Sequence, residues 1–183
     1  MKINFPFLLL MCRGKGKFDL LFSNHNLQKM KNKVLESCAE YALTAKKTGK
    51  IIPMEPITGS ATAAKAARVL YGDDIAIYES FFIIVLSRAH KPKGWAKISQ
   101  GGISGTVVDP AIVAKYVLDL CGQAVILIHN HPSGKMSPSD ADRNITRKIK
   151  EGLKAFFDIT VLDHIILSGE DDKYFSFMDE GLL

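Results

Sequence analysis

The stretch AVILIHNHPSGKMSPSDAD, residues 124–142, decides both the fold and the chemistry that the sequence predicts. Its first five residues are wholly apolar and rich in valine and isoleucine, which predicts a short buried strand over 124–128. That strand runs directly into His129 and His131. A Pro-Ser-Gly turn follows, so the two histidines are predicted to stand at a strand end.

The same stretch ends in a predicted helix start. We expect Ser137 to be the N-cap, Pro138 to occupy the first helical position and Asp140 to supply the acidic partner three residues after the cap. Apolar residues then recur at helical spacing and predict a buried stripe. Its members are Ile145, Ile149, Leu153 and Phe156.

Outward from this stretch the chain alternates helices and strands. Helices are predicted from Lys31 to about Gly49, over 60–70, and from Asp109 to Leu120. The last of these is predicted to bury one face, made of Ile112, Val113, Tyr116, Val117 and Leu120. Strands are predicted over 81–86, 95–100, 161–167 and 174–177, with a turn at 91–94 and a bend or bulge at Gly101-Gly102. This order implies an α/β fold with a mixed β-sheet flanked by helices.

Length and composition describe an ordinary globular protein. The chain has 183 residues, of which 47% are hydrophobic and 23% charged, and this balance argues against disorder. Its three cysteines are widely spaced and form no CxxC motif, which argues against a disulfide framework and against a cysteine-based zinc site. We therefore expect a reducing, cytoplasmic location.

The formal net charge of +5 is concentrated at the N-terminus. The first 50 residues carry ten basic and three acidic side chains, so the remainder is slightly acidic and gives little support for nucleic-acid binding. Residues 1–29 are interpreted as an N-terminal extension, either disordered or preceding a native start at Met30, and 30–183 as the domain. The apolar run 5–12 is too short to span a bilayer, and it makes a poor signal peptide.

Two histidines and one aspartate are the strongest candidates for a site. Residues i and i+2 of a strand share a face, so His129 and His131 can bring two imidazoles to one point. Asp142 precedes the predicted stripe by three, seven and eleven residues, which places its carboxylate on the inward face of the helix. An inward carboxylate needs a cationic partner, and a metal ion shared with the histidines would supply one. Ser139 lies on the same helical face.

These residues resemble a known family. His129-x-His131, seven residues, Ser139, two residues and Asp142 reproduce the HxH-x7-SxxD signature of the JAMM (Jab1/MPN) metalloproteases. The string HNHPSG resembles the RadC-like bacterial branch in particular. Further matching segments are Ser104-Gly105-Thr106, LDHII at 162–166, and FSF at 175–177 with Glu180-Gly181. The resemblance covers roughly 56–183.

The resemblance implies the JAB/MPN fold, a sandwich of the cytidine-deaminase-like type, and a zinc-dependent hydrolase of peptide or isopeptide bonds. It implies that His129, His131 and Asp142 bind Zn²⁺. Glu79, just before the predicted strand over 81–86, would be the proton acceptor, and Ser139 would stabilise the oxyanion. The expected partner is a peptide or protein substrate rather than a membrane.

Other residues near the motif receive structural interpretations. His164 is expected to be a hydrogen-bonded core histidine, with a supporting role toward the site as the alternative, and Asp163 to be structural. Asn130, Ser133 and Gly134 are expected to shape the loop rather than bind metal.

A second function class stays open. The chain could be a non-catalytic MPN-fold accessory module associated with DNA repair or protein binding, although residues 1–50 lack the paired glycine-rich hairpins of the N-terminal region usual in RadC-like proteins. The complete set of five site residues favours the enzyme. The literal HNH string only weakly suggests an HNH nuclease, because those nucleases spread their histidines over a ββα unit.

Overall fold

The computed structural model describes residues 46–102 and 106–183, in which five strands form one mixed sheet. The strands are β1 (Ser80–Leu86), β2 (Pro92–Gln100), β3 (Ala124–His131), β4 (Thr160–Ser168) and β5 (Tyr174–Ser176). Their order across the sheet is β2-β1-β3-β4-β5. Only β3 and β4 are parallel, and the other neighbouring pairs are antiparallel. The predicted α/β fold with a mixed sheet is confirmed.

Three α-helices accompany the sheet in the described residues: α1 (Ser60–Arg68), α2 (Pro110–Asp119) and α3 (Asp140–Phe157). A short 3₁₀ turn, Asp73–Ala76, precedes β1. Helix α3 makes the crossover that joins the parallel strands β3 and β4. None of the helices described is long and apolar enough to cross a membrane. The helix predicted from Lys31 lies outside the described residues except at 46–49, which are not helical, and the boundary at Met30 lies outside them too.

Apolar residues cover both faces of the sheet, so its central strands are buried on both sides. In β1, Phe82, Ile84 and Leu86 pack with the alanines of α1. The alternate residues Phe81, Ile83 and Val85 pack with α2 and α3. The same alternation in β3 turns Val125 and Leu127 toward α2 and α3, and His129 and His131 continue that face. Strand parity therefore directs both histidines toward α3.

Four strands are longer than predicted: β1 by one residue at its start, β4 by one residue at each end, and β2 and β3 by three residues each. Strand β2 begins at Pro92 rather than Trp95, and Pro92 pairs with Leu86. Because β2 is an edge strand, a proline without an N–H group is tolerated there. Strand β3 extends through His131, so both histidines belong to the strand itself.

The start of α3 differs from the prediction. Its N-cap is Ser139, and Asp142 completes the capping box, whereas Ser137 and Asp140 were predicted for these positions. The sequence contains two overlapping Ser-x-x-Asp patterns, and both satisfy the local rule. The buried stripe also differs, because Thr146 belongs to it and Phe156, at 80% exposure, does not.

The predicted face of α2 is only partly buried. The N-cap Asp109 accepts a hydrogen bond from the Ala111 N–H, as its position before Pro110 predicts. Val113 and Val117 are buried, but Ile112 and Tyr116 are exposed. The helix packs on the core through Val113 and Val117, with Ala114 and Leu120 partly buried beside them.

A break in regular pairing changes the direction of side chains along β4. Val125 pairs with Val161, but Ile126 pairs with Asp163, so Leu162 has no partner in β3. Such a bulge inverts the alternation of side chains beyond it. Leu162 packs on the α1 side, while His164 reaches α3 on the opposite face. Simple alternation would place these two residues on one face, and the bulge is the reason that it fails here.

Candidate metal centre

The two histidines of β3 point their rings to one place on the α3 face. Their Nε2 atoms lie 2.9 Å apart, and the ring centroids are separated by 4.8 Å. His129 is almost fully buried, whereas the side chain of His131 is 13% exposed. One imidazole is therefore enclosed and the other stands at the opening of the site.

Asp142 completes the cluster from the first turn of α3. One carboxylate oxygen lies 3.3 Å from His129 Nε2, and the other lies 3.6 Å from His131 Nε2. The three donor atoms all lie within 4.8 Å of one another. Two imidazole nitrogens and one carboxylate oxygen around one point form a donor set that fits a divalent transition metal. The predicted residues His129, His131 and Asp142 are thus brought together.

The electrostatics of the cluster favour a cation. Burial lowers the pKa of His129 to about 4, which keeps its ring neutral and able to bind metal. Partial burial would raise the pKa of Asp142, but the neighbouring rings of His131 and His129 and the hydrogen bonds from Ser139 outweigh it and hold this pKa well below its usual range. Burial would lower the pKa of His131, but its contacts with Asp142 and Lys135 reverse the direction and raise it. An anion therefore faces two ring nitrogens.

The turn after β3 orients His131. Its Nδ1 contacts the backbone carbonyl of Lys135, which can only accept, so Nδ1 carries the hydrogen. Gly134 has a φ of +69° in this turn, a conformation that favours glycine, and its N–H donates to the His131 carbonyl. The prediction that Gly134 shapes the loop agrees with this geometry.

Glu79 lies beside the cluster without belonging to it. It immediately precedes β1, and its odd position in the strand alternation directs it to the same face as Phe81. Its backbone is paired with the segment after β2, through Gly101 and Gly102. Burial raises the pKa of its carboxyl, His131 and the Thr106 backbone lower it, and Asp142 raises it. Glu79 thus shares the electrostatic environment of the cluster.

Asn130 connects the histidine strand to the segment that carries Glu79. It lies between the two histidines, points to the opposite face and is fully buried. Its Oδ1 accepts from the Ser80 N–H at 2.8 Å, and its Nδ2 donates to the carbonyls of Ile75 at 2.6 Å and Tyr78 at 2.9 Å. All three contacts lie within 75–80. Asn130 therefore does more than shape the loop after β3.

The side-chain hydrogen bonds of Ser139 are made with Asp142. Its hydroxyl and its backbone N–H both donate to Asp142 Oδ2, each at 2.7 Å. The hydroxyl oxygen accepts from the Asp142 N–H at 3.1 Å. A serine hydroxyl has one hydrogen to donate. In this arrangement Ser139 orients the carboxylate, and its predicted role toward an oxyanion stays a prediction.

The two residues singled out in β4 have separate environments. His164 is fully buried, and its Nε2 lies 2.8 Å from His129 Nδ1. Burial lowers its pKa well below the ordinary value for histidine. Asp163 turns away and accepts hydrogen bonds from Ser176 and from the Met178 N–H, which agrees with a structural role. His164 contacts the site, and Asp163 holds the segment after β5.

Sequence reasoning missed two contributors to this region. Thr146, on the buried side of α3, lies 2.6 Å from His164 Nδ1. Gly169 allows a close approach, because a Cβ there would lie 2.8 Å from Pro132 Cα and 2.9 Å from the Ile75 carbonyl oxygen. Thr146 does carry a signal, since it stands one helical turn after Asp142. Gly169 carries none that pattern alone could read. Ser104 and Gly105 lie outside the described residues.

Comparison with known proteins places this site in a family. The model of the RadC-like JAB domain matches residues 57–182. A UPF0758 protein from Flavobacterium johnsoniae is 39% identical over 132 residues, covering 72% of this chain and 56% of that protein. A UPF0758 protein from Nitrosococcus oceani is 43% identical over 106 residues, covering 58% of this chain and 46% of that protein.

A third relative, the UPF0758 protein of Porphyromonas gingivalis, is 34% identical over 105 residues, covering 57% of this chain and 45% of that protein. The chain spans about half the length of the curated relatives it matches. The family match includes β1 to β5 and every residue of the cluster. The chain belongs to the RadC-like JAB domain family.

Proposed function

We propose that this protein is a zinc-dependent hydrolase of peptide or isopeptide bonds. The observation that carries the proposal is the convergence of His129, His131 and Asp142, with Glu79 beside them but outside the group of ligand atoms. A three-ligand set leaves a coordination position open, which distinguishes catalytic zinc sites from closed structural ones. His131 stands at the accessible side, where a substrate could approach.

The cluster would hold Zn²⁺ through His129 Nε2, His131 Nε2 and a carboxylate oxygen of Asp142. When bound, the ion would supply Lewis acidity, lowering the pKa of a water molecule to about 7 and polarising the scissile carbonyl. Glu79 would accept the proton of the attacking water on a carboxylate oxygen and return it to the leaving nitrogen. A raised carboxyl pKa suits a group that both takes and returns a proton near neutral pH.

The metal part of the proposal is tested with paired aspartate variants. Purified wild type should hold about one zinc per chain after dialysis, because the described residues contain one such three-residue donor set. Asp142→Ala should lose it, because the only carboxylate ligand is removed. Asp140→Ala, two residues away and exposed at the same helix start, should retain it. Metal analysis of the three proteins checks this, and a wild type without bound zinc would contradict the proposal.

The chemical part is tested with Glu79→Gln. This variant should keep its zinc and lose about 10²- to 10⁴-fold in the rate of hydrolysis, the usual contribution of a positioned general base. The probes are a mixture of unmodified peptides and a second mixture linked through lysine side-chain amides, followed by mass spectrometry. Full activity in Glu79→Gln would show that another group is the base. Zinc binding with no cleavage of either mixture by the wild type would favour the non-catalytic accessory module.

A further inference from the structure

A buried chain of hydrogen bonds links His129 to the backbone of α3. His129 Nδ1 lies 2.8 Å from His164 Nε2, and His164 Nδ1 lies 2.6 Å from Thr146 Oγ1. The Thr146 hydroxyl also contacts the backbone carbonyl oxygen of Asp142 at 2.5 Å. The three side chains are at most 2% exposed. This chain of hydrogen bonds thus begins at the candidate ligand His129 and ends at the backbone carbonyl of the candidate ligand Asp142.

The direction of every hydrogen bond in this chain follows from its last member. A backbone carbonyl can only accept, so the single hydroxyl hydrogen of Thr146 is donated to Asp142. Thr146 Oγ1 must then accept from His164, which requires the hydrogen of that ring to be on Nδ1. A neutral imidazole has one N–H, so His164 Nε2 has a lone pair and accepts from His129 Nδ1.

His164 is held as a neutral ring by its surroundings. It stacks on Phe177 with ring centroids 4.8 Å apart. It forms a T-shaped contact with Phe81, with ring centroids 5.5 Å apart. Its hydrogen-bond partners are an imidazole and a hydroxyl, and no carboxylate is among them. Burial without an anionic partner disfavours the protonated form.

We infer that Thr146 and His164 are positioning residues that hold His129 in the tautomer with a hydrogen on Nδ1 and a lone pair on Nε2. This is the nitrogen that faces Asp142 and His131. The inference rests on the metal site within the proposed function and not on peptide hydrolysis. The polarity is set by a helix carbonyl at the end of the hydrogen-bond chain that is farthest from His129 Nε2.

His131 reaches the same tautomer by a shorter route. Its Nδ1 contacts the Lys135 carbonyl directly, within the turn that follows β3. His129 is buried in the sheet, where no backbone carbonyl meets its Nδ1, and two intervening side chains make the connection. Both ligands are therefore oriented by backbone carbonyls, one locally and one through tertiary contacts. This gives an internal control, because changes at Thr146 should leave the tautomer of His131 unchanged.

The decisive experiment compares Thr146→Val with Thr146→Ser. Valine preserves the shape of threonine but cannot accept from His164 Nδ1, so His164 gains by moving its hydrogen to Nε2 and donating to His129. The His129 hydrogen then moves to Nε2. Serine keeps the hydroxyl and should keep the wild-type arrangement. The tautomers are read from ¹⁵N imidazole shifts of metal-free protein at a mildly alkaline pH, which favours the neutral form of both histidines.

The expected result is an Nδ1–H tautomer of His129 in the wild type and Thr146→Ser, and an Nε2–H tautomer in Thr146→Val. The affinity for Zn²⁺, measured by competition with a chelator, should fall about 10- to 100-fold in Thr146→Val alone. An unchanged His129 tautomer in folded Thr146→Val would overturn the inference, as would the same change in Thr146→Ser. Loss of peptide cleavage would bear on the proposed function and leave this result standing.

A second variant covers the case in which Thr146→Val does not fold. His164→Gln replaces the ring by a side chain whose carbonyl oxygen can still accept from His129 Nδ1. It should keep the Nδ1–H tautomer of His129. An Nε2–H tautomer in folded His164→Gln would contradict the inference, because an acceptor at this position is all that the argument requires.

Discussion

The side chains of the cluster contact one another, from His129 and His131 to Asp142. Glu79, by contrast, is positioned mainly by hydrogen bonds of its own backbone and of neighbouring residues. Every nitrogen or oxygen of the three ligands has a polar partner in the structure. Around Glu79 the contacts are a hydrogen bond from the Thr106 backbone to its carboxyl, those of Gly101 and Gly102 with its backbone, and those of Asn130 with its neighbours. The candidate ligands and the proposed base are therefore held by different contacts, and single substitutions should affect one without the other.

The substitution expected to affect Glu79 most, without affecting the candidate ligands, is at Asn130. Asn130→Ala removes three buried hydrogen bonds to 75–80 and should lower the free energy of unfolding by about 2–4 kcal/mol. Because it releases the segment of Glu79, hydrolysis should fall about 10²-fold while zinc content stays unchanged. Urea unfolding, metal analysis and peptide cleavage measure the three quantities.

Asn144→Ala is the matched control for this substitution. Asn144 is exposed on α3, and its side chain accepts a hydrogen bond from the neighbouring side chain of Arg147. Truncating this side chain should change none of the three quantities. Loss of zinc in folded Asn130→Ala would show that the ligands and the base are not independent.

A smaller effect is expected at Gly169, which lies between the turn after β3 and the 3₁₀ turn before β1. Gly169→Ala places a Cβ against Pro132 and the Ile75 carbonyl, and neither of these backbone groups can move aside freely. It should destabilise the protein by about 1–3 kcal/mol, as overpacking does. Gly152→Ala, inside α3 with open space around it, should instead stabilise by about 0.5–1 kcal/mol. Denaturation curves that shift in the same direction for both variants would contradict this account.

The smallest effect sharpens the assignment of the helix cap. Ser139→Ala should lower stability by about 1 kcal/mol, because it removes the N-cap and a hydrogen bond to Asp142. Ser137→Ala, at an exposed position before the helix, should change stability by less than about 0.5 kcal/mol. Thermal unfolding of the two variants measures the difference. A larger loss in Ser137→Ala would restore the earlier helix start.

Local sequence patterns were sufficient for most of the fold. The apolar runs of β1, β3 and β4 and the capping residues of α2 are short-range signals, and each is found where it was predicted. Boundaries were less well predicted, because Pro92 is tolerated only at a sheet edge and edge position is a property of the whole sheet. Phe156 was predicted to be buried but is exposed, because helical periodicity does not reveal where the packing of a helix against the sheet ends.

The sequence alone was enough to predict the candidate metal cluster, since strand parity pairs His129 with His131 and helical spacing turns Asp142 inward. It also placed Glu79 just before a predicted strand, and the family resemblance singled that glutamate out. The supporting contacts depend on the tertiary structure, because a bulge in β4 turns His164 toward α3 and the chain crossover brings Thr146 to it. Alternation is a local rule, and an unpaired residue such as Leu162 becomes visible only when two distant strands are paired.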